Sequence, residues 1–204
     1  MKSLIFIALL FSCSEKKTPT KPITQTVKKS CLSSFERGDI SLSTTGYKYE
    51  EKTGVKGMFK SLKVNAPREF ESVEELLTNT SFSFDESSLD FGNAARNKNI
   101  LNGLFKNIAG EVISGKVKSV NNQTQSVTMD LNWGEKSHEV ILKYSEVDGS
   151  LKLTGEIDII QLGFGEAFKS FQAICKTMHT KNGTSKSWST VDILAQVDIK
   201  KCQK

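Results

Sequence analysis

Histidine is scarce in this chain of 204 residues: only His138 and His179 occur. No Gly-x-Ser-x-Gly elbow is present to present a nucleophilic serine. Gly163-Phe164-Gly165 begins like a dinucleotide loop, but Phe168 stands where the third glycine belongs and no βαβ unit surrounds it. Cys175 and His179 lie four apart and would share one face of a helix. Two ligands do not make a metal site, and no third or fourth is close in sequence, although His138 could approach in space. The expectation is therefore no enzyme, no cofactor and no metal. Long hydrophobic runs are missing too. The apolar stretch 4–11 is far shorter than the roughly 20 residues that cross a bilayer. Nor does the domain carry a surplus of one charge. The chain is +5, but residues 1–30 hold Lys2, Lys16, Lys17, Lys21, Lys28 and Lys29 against Glu15 alone. Residues 31–204 have 22 basic and 22 acidic side chains, with no basic stripe among aromatics, so nucleic acid is not an expected partner.

What stands at the start is a short apolar run behind Lys2, the pattern of a secretory signal. It ends in Leu10-Phe11-Ser12-Cys13, which resembles a bacterial lipobox. Residues 1–12 are read as a lipoprotein signal peptide and Cys13 as the lipidated residue. The expected location is the bacterial periplasm or cell envelope, with the protein held to a membrane by acyl chains. The alternative is an ordinary cleaved signal in which Cys13 is incidental. Residues 13–30 contain Pro19, Pro22 and several Thr and Lys, with almost no apolar side chains. Such a stretch cannot bury enough surface to offset its ordering entropy and reads as a disordered linker. Residues 31–204 are the size of one domain.

Period-two alternation dominates the second half of that domain. Val127, Met129, Leu131 and Trp133 share one face; after Gly134 come His138, Val140, Leu142 and Tyr144. Asp148-Gly149 marks a hairpin, and Leu151, Leu153, Ile157 and Ile159 form the next face, with Gly155 expected as a bulge or bend. In the first half Ile40, Leu42 and Thr44 share a face, and past Gly46 the phase shifts to Tyr47 and Tyr49, as a bulge would make it. Phe59, Leu62 and Val64 mark a second strand, Phe82 and Phe84 a third, residues 112–120 a fourth, and Val191, Ile193, Ala195, Val197 and Ile199 the last. Three short helices interrupt them: one capped by Ser72 with Glu75, one carrying Ile100, Leu101, Leu104 and Phe105, and one carrying Phe168, Phe171 and Cys175. About eight antiparallel strands, each with one apolar face, are best satisfied by an all-β, up-and-down, lipocalin-like barrel. Such a barrel holds either its own side chains or one small ligand.

Several strings in this order resemble the YceI family of periplasmic polyisoprenoid-binding proteins. They are Tyr47-Lys48-Tyr49 followed by Thr53-Gly54-Val55-Lys56-Gly57-Met58-Phe59-Lys60; Phe91-Gly92-Asn93-Ala94-Ala95-Arg96 with Leu101 and Phe105; and the stretch from Met178-His179-Thr180 to Lys186-Ser187-Trp188-Ser189. The chain departs from the pattern at Asn97, where many relatives have an acidic residue. The resemblance implies a barrel whose bore takes up a long isoprenoid chain or a quinone-like lipid. The residues agree: the phenylalanines give more aromatic surface than strand pairing requires, and Met129 adapts to irregular apolar shapes. The candidate lining is Phe82, Phe84, Met129, Leu131, Leu142, Tyr144, Leu153, Phe164, Phe168 and Phe171, with Tyr144 placed to hydrogen-bond a polar head. The other reading is a structural or interaction lipoprotein with a packed barrel and no lipid; a homodimer is left open. Cys31, Cys175 and Cys202 allow three pairings. Barrel topology brings the start of the first strand beside the end of the last, which favours Cys31–Cys202, with Cys31–Cys175 second.

Overall fold

The computed structural model describes residues 33–202; the signal, Cys13, the linker and Cys31 lie outside the described residues. Ten strands form the main antiparallel sheet: β1 (Ile40–Lys48), β2 (Thr53–Phe59), β3 (Lys63–Asn65), β4 (Ser81–Asp85), β5 (Leu89–Asp90), β6 (Val112–Asn121), β7 (Ser126–Trp133), β8 (Lys136–Val147), β9 (Ser150–Asp158) and β10 (Ser187–Asp198). Their order is β3-β4-β6-β7-β8-β9-β10-β1-β2-β5. In the chain β2 leads into β3 and β4 into β5, so the two ends of that order belong to one interrupted pair. Phe59 lies opposite Leu89 at one end, and Val64 opposite Phe82 at the other. With each interrupted strand counted once, eight strands curl into an all-β, lipocalin-like barrel.

The meander β7–β8–β9 follows from alternation and turn chemistry. Asp148 and Gly149 both have positive φ (52° and 76°), the geometry of a tight two-residue hairpin that matches strand twist. Val127 and Leu151 are fully enclosed, at 0% and 1% exposed, each a contribution of about 1.5–3 kcal/mol. One expected bulge is not where the sequence placed it. Around Gly155 the β9–β10 register runs unbroken, while the β8–β9 ladder stops at Lys143 and Thr154, just before the glycine. A Cβ on Gly155 would clash with Leu142 Cδ2, so a larger residue there obliges that side chain to move. Past Gly46 it is β10 that carries the irregularity, between Ser187 and Val191. On β1, Ile40, Leu42, Thr44, Gly46 and Lys48 follow one another on the inner wall, which Tyr47 also reaches. Tyr47 sends its phenol across to the Asp192 carboxylate.

Three α-helices sit in the connections: α1 (Val73–Thr78), α2 (Ala94–Gly103) and α3 (Gly165–Cys175). Ser72 caps α1, its hydroxyl accepting from Glu75 N–H at 3.1 Å, and Leu76 and Leu77 are buried against the barrel. Asn93 caps α2 in the same way, accepting from Arg96 N–H at 2.9 Å. Asn97, the departure from the family pattern, ties the start of this helix to the sheet. Its Oδ1 accepts from Phe91 N–H at 2.8 Å and its Nδ2 donates to Asp90 Oδ1 at 3.0 Å. α3 packs on α2 so closely that a Cβ on Gly103 would meet the Phe171 backbone at 2.8 Å. A small sheet places Ser33–Ser34 between Lys200–Lys201 and Glu69–Phe70, with Ser33 opposite Lys201. Cys202 is disulfide-bonded. Cys175 is a free, buried thiol, so the alternative pairing through Cys175 does not form and the partner of Cys202 lies outside the described residues.

Candidate functional site

The interior of the barrel is not filled. A cavity of about 610 Å³ runs through it, a volume typical of small-molecule sites. The wall is unevenly enclosed. Met129, Leu131, Val140 and Leu142 on β7 and β8 line it and are buried. Ile40, Leu42, Leu153, Val191, Ile193 and Ala195 on β1, β9 and β10 also line the cavity but are only half-buried. In a packed core these inward side chains would be as enclosed as the first set, so the β9–β10–β1 wall fronts on unfilled space, as do the half-buried Val55, Phe59, Val64 and Phe82 on β2, β3 and β4. Glycines of inward phase also differ among themselves: Phe82 lies over Gly115, Phe91 over Gly57 and Leu142 over Gly155, whereas a Cβ on Gly46 would meet nothing within 4 Å.

Of the ten lining residues read from the sequence, Phe82, Phe84, Met129, Leu131, Leu142, Leu153, Phe168 and Phe171 stand on the cavity wall. Phe82 and Phe84, two apart on β4, stack with centroids 6.0 Å apart, and Phe84 meets Phe59 at 4.2 Å. Tyr144 and Phe164 do not line it. Tyr144 keeps the inward phase of β8 but sits close to the strand's end, where its hydroxyl donates to Asn122 Oδ1 at 2.7 Å. It is not placed to hold a ligand head. Phe164 precedes α3 and packs behind Trp133, with centroids 4.7 Å apart, so the indole separates it from the void. For Tyr144 period-two phase identified the face and not the depth; Phe164 was grouped with the Phe-rich helix, which it precedes.

Trp133 brings in a buried polar group that the sequence did not reveal. Its Nε1 donates to Glu86 Oε1 at 2.7 Å, and Glu86 is 5% exposed. Burial pushes the Glu86 carboxyl up to about 7, against the indole hydrogen bond that favours the ionised form. Burial likewise pushes the Cys175 thiol, on the cavity wall, up to about 11, which keeps it protonated and unreactive.

The cavity opens at one end. The exposed residues of its wall, Asn93, Ala95 and Met178, all lie between the start of α2 and the turn Thr177–His179 that follows α3. Contacts between elements define this mouth. Asn99 Nδ2 reaches Met178 Sδ at 3.5 Å, His179 Nδ1 meets Ser187 Oγ at 2.6 Å, and Ser187 is the cross-strand partner of Lys48. Phe171 stands edge-on to the His179 ring at 5.8 Å. Arg96 is held by its Nη1, which donates to Phe91 O at 3.1 Å. Lys48, Arg96 and His179 were not singled out as site residues in the sequence. The available signal was the phase of β1, which sets Lys48 inward behind Thr44 and Gly46.

The chain is thus an antiparallel β-barrel with a largely apolar bore, and solved structures share its fold. The chain resembles BcnA of Burkholderia cenocepacia (13% identity, 81% of this chain and 99% of that one, TM-score 0.56). It also resembles a polyisoprenoid-binding domain from Saccharophagus degradans implicated in plant cell wall breakdown (12% identity, 83% and 99%, TM-score 0.53). A third likeness is to the YceI protein of Campylobacter jejuni (16% identity, 77% and 90%, TM-score 0.51). The chain therefore has the YceI-like fold. No protein-family model and no curated protein matches the sequence.

Proposed function

We propose that the barrel binds a long-chain isoprenoid or quinone-like lipid, its tail along the bore, and serves to store or carry it. The observation behind this reading is the void itself. Inward apolar side chains of β1, β9 and β10 face the cavity instead of one another, and each methylene of a tail laid against them contributes about 0.8 kcal/mol. The name of the Saccharophagus neighbour, a polyisoprenoid-binding domain, supports the same chemistry. The start of the sequence supports an exported lipoprotein anchored through Cys13, with residues 13–30 as its leash. Among the described residues no helix is long and apolar enough to cross a membrane. Organic extraction and mass spectrometry of the purified protein test the reading. The expected result is a lipid with an isoprenoid chain. Protein free of lipid, whose melting temperature does not rise on adding an isoprenoid quinone, would reject it in favour of a structural barrel.

A further inference from the structure

The charges on the cavity wall are of one sign. Lys48 and Arg96 line it, together with His179, and no aspartate or glutamate does among the described residues. This is not a consequence of composition, since residues 31–204 carry equal numbers of acidic and basic side chains. Three neighbouring carboxylates are engaged elsewhere, and Glu50, two residues from Lys48, is exposed. Asp90 pairs with Lys60 at 2.5 Å and accepts from Asn97 and Gly92, while Glu51 pairs with Lys181 and Asp192 accepts from Tyr47. Lys48 and Arg96 have no carboxylate within ion-pair distance among the described residues. Both are half-buried.

We propose that this mouth recognises an anionic head group: the ligand is a lipid whose tail fills the bore and whose phosphate or carboxylate is held by Lys48 and Arg96. The inference rests on the lipid-binding reading and narrows it to a chemical class. A charged head gains little by following the tail inward, because beyond the mouth the wall is apolar apart from Thr44, Tyr47, Thr80 and Gln196, none of them cationic, and its desolvation would go largely uncompensated. It is better served at the mouth, where the Arg96 guanidinium on α2 and the Lys48 ammonium at the end of β1 both line the wall and both act on His179. The guanidinium already donates one N–H to Phe91 O, which orients it and leaves its other donors for an oxyanion. Partial burial between low-dielectric walls strengthens the attraction. The two cations share their field with a third group: burial first, then Lys48 and Arg96, hold the His179 imidazole below its ordinary pKa. His179 Nδ1 is engaged by Ser187, so the ring frames the mouth.

Two matched pairs of probes test the proposal on the full chain: geranylgeranyl monophosphate against geranylgeraniol, and palmitate against hexadecanol. Within each pair the tail is constant and the head alone changes. The expected result is a preference of about ten- to a hundredfold for the anion in at least one pair. The pair that shows it tells a prenyl phosphate from a fatty carboxylate. In Lys48→Gln/Arg96→Gln the ratio of anion to alcohol affinity should fall towards one. A ratio is read within one preparation, so a partly misfolded variant does not mimic the effect. Equal binding of anion and alcohol by the wild type would overturn the head-group proposal and leave the lipid reading standing. Failure of all four probes to bind would overturn both. A wild-type preference that the double variant retains would also overturn it, since the anion would then be held by other residues.

Discussion

Gly46→Leu separates a hollow barrel from a solid one by the sign of its effect. Gly46 lies in β1 between Thr44 and Lys48 on the cavity wall, and a Cβ there would meet nothing within 4 Å. Its φ is not in the positive region, so a side chain introduces no backbone strain. Glycine inside a strand destabilises by roughly 0.5–1 kcal/mol relative to alanine, because the unfolded chain loses more freedom. With empty space to receive it, leucine should leave the ligand-free protein as stable as the wild type or up to about 1 kcal/mol more so. In a filled interior the same insertion would cost about 1–3 kcal/mol. The ligand should respond in the opposite direction, because leucine at this position occupies the route from mouth to bore. Wild-type protein with lipid at about a hundred times its Kd should gain about 2.7 kcal/mol. A tenfold loss of affinity in the variant would remove about half of that gain. Urea denaturation with and without a soluble isoprenoid alcohol reads both effects. A variant destabilised by more than about 1 kcal/mol without ligand, together with no stabilisation of the wild type by ligand, would refute the reasoning.

Gly155→Ala should act oppositely: its Cβ would invade Leu142 Cδ2, so the melting temperature should drop by several degrees, about 1–3 kcal/mol, and an unchanged melt would show that Leu142 moves aside freely. Glu86 predicts a pH dependence. Its folded pKa of about 7 lies above the unfolded value of about 4.3. Its contribution is therefore complete below the unfolded pKa and declines as pH rises through about 7, by about 1–3 kcal/mol. Glu86→Gln keeps an acceptor for Trp133 and removes that decline; a wild type as stable at about pH 8 as at about pH 5, matched by the variant, would contradict this. Non-reducing peptide mapping should join Cys202 to Cys31, closing a long loop worth about 2–4 kcal/mol; Cys202 joined to any other cysteine would overturn the topology argument. Tyr144→Phe should leave lipid affinity unchanged, because its hydroxyl is engaged with Asn122 away from the cavity; a clear loss of affinity would return Tyr144 to the site.

The meander was legible because alternation from Val127 to Ile159 and the Asp148-Gly149 turn are local signals that agree with one another. Closure through the interrupted pair was not. The breaks after Phe59 and Asp85 answer to the curvature of the whole barrel, and no residue there announces a strand that stops and resumes. Helix caps were partly legible: Ser72 with Glu75 marked α1, while Asn93 drew attention only as part of a family string. Of the ten lining residues read from the sequence, eight stand on the cavity wall, six by strand phase and Phe168 and Phe171 by helical spacing. Tyr144 falls off the wall because alternation tells inside from outside and says nothing of position along the axis, and Phe164, grouped with a Phe-rich helix, precedes that helix and packs on Trp133. The mouth was the least legible part. Lys48, Arg96 and His179 are separated by long stretches of chain, and only barrel closure and the docking of α2 bring them to one rim. The expected bulge past Gly46 also hid the inward phase of Lys48, since the irregularity belongs to β10.

A photoreactive isoprenoid alcohol carrying a diazirine at the end of its tail tests the central claim most directly, because peptide mapping of the cross-link reports where the tail lies. The account predicts label on inward residues of the half-buried wall, Leu42, Leu153 and Ala195 among them, competed away by unlabelled lipid. Label confined to outward residues such as Ile141 or Val147, which are exposed on β8, and not competed, would contradict it.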